Sequence, residues 1–147
     1  MPTTTANAVD EMLGLVRDAA LALSPTLHIE WEGLPSLSNE PPPQDKEWIR
    51  AGVKHDPAGS SQGSLSCQHG ARRWRREGQL YVQCFAPIKA GGLKRSMEMA
   101  CAFRDAIQGA STPGGVWFRR VTAREVGPHN SLYQSNTSAR FQYDEVK

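Results

Sequence analysis

The stretch "ARRWRREGQLYVQCF", residues 71–85, decides how the chain folds, because four arginines and a tryptophan occupy five positions before it turns apolar. Leu80, Val82 and Cys84 alternate with Gln79, Tyr81 and Gln83, the period of a strand with one buried face. Glu77-Gly78 reads as a turn between a basic strand over 64–77, bulged at Gly70, and an apolar strand over 79–87. Successive strand side chains point to opposite faces. Arg73 and Arg75 therefore share one face, while Arg72, Trp74 and Arg76 share the other. The arginines are divided, not gathered into one patch.

Working outward, residues 6–23 place Val9, Met12, Leu13, Val16, Ala19, Ala20 and Leu23 at helical spacing, and Ser24-Pro25 ends the helix. Leu27, Ile29 and Trp31 alternate with His28, Glu30 and Glu32, a half-buried strand over 27–33. Residues 34–45 form a Pro-rich flexible connector. A strand over 46–55 follows, with Ile49, Ala51 and Val53 on one face, then a Gly/Ser loop. Downstream of Pro87 and Gly91-Gly92, residues 93–108 read as a helix with Leu93, Met97, Ala100, Cys101 and Ile107 inward. Strands over 115–128 and 131–146 flank a hairpin connection at Pro128-His129-Asn130. Hairpins dominate, which predicts one α+β domain over 1–147: a mainly antiparallel (mixed) β-sheet with two α-helices packed on one face.

At 147 residues, 39% apolar and 22% charged, the chain has the composition of a soluble globular domain. Its net charge of +2 hides an asymmetry. Residues 1–70 hold four Lys/Arg against nine Asp/Glu, whereas residues 71–147 hold thirteen against six. Acidic and basic sides on one molecule suit docking to charged surfaces or to further copies. Three widely spaced cysteines are no disulfide framework and point to a reducing compartment. The N-terminal stretch lacks the basic and apolar regions of a signal peptide, and no apolar run is long enough to span a membrane.

Catalytic patterns are missing. Neither HExxH nor GxSxG occurs, and Ser60, Ser61, Ser64 and Ser66 near His55 and Asp56 make no triad by proximity alone. Cys67 and His69, even with His55, have the wrong spacing and number for zinc. The glycines of "PIKAGGLKRS", 87–96, with Lys94 and Arg95 nearby, lack a phosphate-loop pattern and serve a chain reversal. Asp144-Glu145 reads as a solvated terminus, and Trp31, Trp48 and Trp117 as core or interface anchors. No enzyme activity, metal or cofactor is expected.

Taken together, "WIRAGVKH" (48–55), "GQLYVQCFAPIKAGGLKRSMEMACAFRDAIQG" (78–109), "GVWFRRVTAREVG" (115–127) and "YQSNTSARFQYDEV" (133–146) resemble tail-terminator-like proteins of long-tailed phages and prophages. The resemblance covers residues 5–146, and it departs from the family pattern at "PIKAGG", where a shorter, glycine-dominated turn is usual. It implies a structural virion assembly protein, a minor tail protein that forms a ring, usually a hexamer. Such a ring caps the tail tube, stops its polymerisation and offers the head-tail joining surface for a head completion or connector protein. It implies assembly in the host cytoplasm and residence in the virion tail, with nucleic acid met only as DNA passing through the ring. Arg72, Arg73, Trp74, Arg75 and Arg76 are then expected at a subunit or tube contact. The alternative is a small nucleic-acid-binding module using the Arg-rich hairpin 71–85, in which Arg72 and Arg76 beside Trp74 grip phosphates or stack bases.

Overall fold

The computed structural model describes residues 3–33, 45–57 and 73–146. The connector 34–45 therefore lies outside the described residues except for its last position. The strand expected over 64–77 is described only from Arg73 onward.

Helix α1 runs Thr5–Leu23, and the Thr4 side chain caps it by accepting from the Asn7 amide at 3.2 Å. Strand β1 is His28–Trp31, β2 is Trp48–His55 and β3 is Arg73–Pro87. A short 3-10 turn, Ile88–Ala90, leads into α2, Gly92–Ile107, and then β4, Trp117–His129, and β5, Leu132–Val146. The architecture is α+β, as expected, with the sheet order β1-β2-β3-β5-β4. Among the described strands only β1 and β2 pair in parallel, and the other neighbours are antiparallel. A parallel pair needs a long crossover, which accounts for the sixteen residues between Trp31 and Trp48.

The structure corrects the reading of Glu77-Gly78. No turn exists there, because β3 is one strand of fifteen residues that pairs with β5 from Arg73↔Val146 to Pro87↔Leu132. Gly78 serves close approach instead. A Cβ on it would stand 2.3 Å from the Lys54 carbonyl oxygen and 2.5 Å from the Phe141 ring. Gly52 plays the same part against Tyr81, its register partner on β3. Both glycines sit beneath a cross-strand aromatic, an arrangement that recovers some of the packing a glycine loses in a strand. The final hairpin is present, although its connection is Asn130-Ser131, with Asn130 taking the left-handed φ of 55° that asparagine tolerates.

Both helices cover one sheet face. Ala8, Met12, Val16 and Ala20 of α1 recur every four residues and are buried. They join Met99, Ala100, Phe103 and Ile107 of α2, and meet Ile49, Ala51, Leu80, Val82, Ala139 and Phe141 from the sheet. The inward stripe of α2 thus differs from expectation: Leu93 is 51% exposed, and Met97 and Cys101 are only half-buried. Helix α2 rests on small polar residues of β5, with Ser96 Oγ 2.9 Å from Ser135 Oγ and Thr137 Oγ1 donating to the Ala100 carbonyl at 2.6 Å. All four groups are buried, and pairing them avoids the penalty of a buried polar atom without a partner.

Gly78→Ala should lower stability by about 1–3 kcal/mol through overpacking, seen as a lower melting temperature by circular dichroism. An unchanged melt would contradict the close approach of β2 and Phe141.

Candidate interaction surfaces

Register distributes the arginine cluster. Trp74 and Arg76 lie opposite Glu145 and Tyr143 on the helix-covered face, while Arg75 lies opposite Asp144 on the other. The expected division of the faces is met for these residues. Arg73 is placed only as a strand residue, and Arg72 lies outside the described residues.

On the covered side, Arg76 Nη2 reaches Glu145 Oε1 at 3.5 Å. Thr5 donates its hydroxyl to the other Glu145 oxygen, Tyr143 Oη lies 3.3 Å from Thr5 Oγ1, and His55 Nε2 lies 2.7 Å from Tyr143 Oη. The chain of groups fastens the start of α1 to β5 and to the end of β2, and the Thr3 amide adds a bond to the Asp144 carbonyl at 3.1 Å. His55 also packs edge-on against Phe141. Burial and the Arg76 charge hold its pKa below 6.5, against the opposing pull of Glu145 and Asp56. Burial likewise pushes Tyr143 up. A neutral imidazole bonded to a protonated phenol stabilises structure here and supplies no activated nucleophile.

The helix-free side is polar and open. With its amide oriented to satisfy its neighbours, Gln142 accepts from Arg75 Nε at 3.1 Å and donates to Glu77 Oε1 at 3.2 Å. Arg119 reaches the same Glu77 oxygen at 3.1 Å, and its guanidinium lies 6.0 Å from the centre of the Trp117 ring. Trp117 is 43% exposed. Arg140 makes two hydrogen bonds to Asp56, which hold that carboxyl below its ordinary pKa. Farther along, Gln79, Tyr81, Gln83, Thr122, Arg124 and Asn136 line a shallow hollow. Its lining offers amides and hydroxyls but no carboxylate, thiol or imidazole for acid–base work. At the far end of this face Trp48 stacks on Phe85 at 4.2 Å, with Arg50 over the indole.

Other sequence candidates resolve into structural roles. Arg95 at the start of α2 is held by Glu47 at 2.6 and 2.9 Å and by Glu98 at 3.5 Å, so it braces the helix against the strand side. Cys84 is fully buried, and burial pushes its thiol pKa far up, which makes it inert. Cys67, His69, Ser60, Ser61, Ser64 and Ser66 lie outside the described residues. Among the described residues no group of three His, Cys, Asp or Glu could hold a metal ion, and no helix is long and apolar enough to cross a membrane. Sequence reasoning missed the Arg75–Gln142–Glu77–Arg119 network, because it placed Glu77 in a turn.

No protein-family model matches the chain, and no curated protein matches it in sequence. Solved structures do. A chain in the virion of a native gene transfer agent particle aligns with a TM-score of 0.59 at 18% identity, over 97% of this chain and 99% of that one. A second solved chain, carrying only a sequence label, aligns with a TM-score of 0.58 at 19% identity, over 89% and 94%. The likeness is one of fold, and it spans nearly the whole of each partner.

The depressed pKa of His55 fixes the sign of a pH effect. A folded-state value below the unfolded one gives stability that is present above pH 6.5 and is lost as pH falls through the folded value. The melting temperature should therefore fall on mild acidification below 6.5, and His55→Gln should flatten that slope. An identical slope in the variant would contradict the assignment.

Proposed function

We propose that this chain is a structural virion assembly protein of the tail-terminator kind. It forms a ring, usually a hexamer, that caps a phage-like tail tube, halts its growth and offers the surface on which a head completion or connector protein docks. The observation that carries this reading is the end-to-end match to a chain from a gene transfer agent virion, in agreement with the texture of residues 48–55, 78–109, 115–127 and 133–146. Such a role needs no reaction and no cofactor. It needs two dissimilar surfaces, one that accepts the tube and one that does not propagate it. One sheet face covered by helices and one left open and polar supply that dissimilarity.

Within this reading the basic stretch is a contact surface. Arg75, with Arg119 and the exposed Trp117 beside it, brings together the residue types enriched at protein interfaces. Arg76, half-buried on the other face, braces the fold that presents them. Assembly takes place in the host cytoplasm, and the product resides in the virion tail with DNA passing through the ring.

The test is a tube-growth assay with the tail tube protein of the same particle, imaged by negative stain. Adding this chain should shorten the tubes and leave a distinct density at one end. Tubes of unchanged length with bare ends would overturn the reading.

A further inference from the structure

Among the described residues the sheet is open, with β1 and β4 at its two edges, and these edges carry opposite charge. At one end β1 and the turn after it hold Glu30 and Glu32, with no Lys or Arg between Leu27 and Gly33. At the other, β4 holds Arg119, Arg120 and Arg124 against the single Glu125. Glu125 is occupied by the Tyr133 hydroxyl at 3.0 Å. Arg120 and Arg124 are exposed and make no ion pair with any described residue, and the same holds for Glu32. An edge strand presents unpaired backbone donors and acceptors, and proteins limit that liability with bulges. Strand β4 has two irregularities, between Arg119 and Thr122 and between Glu125 and Gly127, with Arg120 at a φ of 53° in the first. Between them Thr122–Glu125 is four regular residues long, the length of β1.

Strand direction allows these edges to meet. Strands β1, β2 and β5 run one way, and β3 and β4 the other. A second copy turned about an axis parallel to the strands keeps its β1 antiparallel to the first copy's β4. Its helices also stay on the same side of the sheet. Arg124 stands on the helix-free face, opposite Asn136, and Glu30 shares that face with its register partner Arg50. Joined edges would set Arg124 and Glu30 on one face of one ladder, where opposite charges attract.

We propose that this chain binds a second copy of itself head to tail, with Ala123–Glu125 of β4 pairing against Ile29–Trp31 of β1 and Arg124 opposite Glu30, so that the five-stranded sheet continues from subunit to subunit. The contact is heterologous, so it closes a ring when the rotation per subunit divides a full turn. The proposal rests on the ring reading above and names the surface that builds the ring.

Two charge-reversed variants test it, R120E/R124E on one edge and E30K/E32K on the other, with folding checked by circular dichroism. Mass is read by light scattering at low salt, alone and with the tail tube protein present. The wild-type chain should assemble with rising concentration, and each variant alone should need at least tenfold more protein to do so. An equimolar mixture should assemble again, and only into even-numbered rings, because every restored contact joins one variant to the other. Variants that assemble like wild type, or a mixture that stays dissociated, overturn the edge pairing and leave the ring reading standing. A wild-type chain that stays monomeric under both conditions overturns both.

Discussion

The ladder between β3 and β5, fifteen residue pairs long, is the constraint on which the rest of the structure depends. Register has a period of two, so a slip of β5 by one residue against β3 would turn Ala139, Phe141 and Tyr143 out of the core together. The same register sends Arg75 to the open face and Arg76 to the covered one. It also centres the two longest strands and leaves β1 and β4 as the edges. Core and surface are therefore set by one alignment.

That alignment places the helices and gives the molecule two unlike sides. The covered side is closed by the alanine and methionine stripe of α1 and by Met99, Phe103 and Ile107 of α2. It is also held by two buried side-chain hydrogen bonds, Ser96 to Ser135 and Thr137 to the Ala100 carbonyl, and by the partly exposed bond from Thr5 to Glu145. On the open side Arg75, Arg119 and Arg140 are fixed in place by Gln142, Glu77 and Asp56, while Arg124 stays exposed. Fixed guanidinium groups lose less freedom on docking than mobile ones do. This difference links the packing of the sheet to the proposed assembly role.

Much of this was legible in the sequence, and the failures have physical causes. Helix α1 announced itself because its apolar period and the Ser24-Pro25 stop agree. The inward residues of β2 and the Leu80, Val82, Cys84 series were also legible from alternation alone. Gly78 misled because a glycine after a charged residue signals a turn, whereas here it admits the Phe141 ring and the Lys54 carbonyl, which are distant in sequence. Leu93 misled because the buried stripe of α2 runs through Gly92, Ser96, Met99, Ala100 and Phe103, which leaves Leu93 on the solvent side of the first turn. The Arg75–Gln142–Glu77–Arg119 network and the opposed edge charges depend on strand order, and strand order is not written in any local pattern.

The proposed closed ring of this chain on a tail tube predicts a fixed stoichiometry. Native mass spectrometry of the chain mixed with its tail tube protein tests that claim most directly. A single discrete multiple of the 16.2 kDa chain, retained on tube fragments, is the predicted result. A continuous ladder of stoichiometries, or a chain that never leaves the monomer mass, would contradict it.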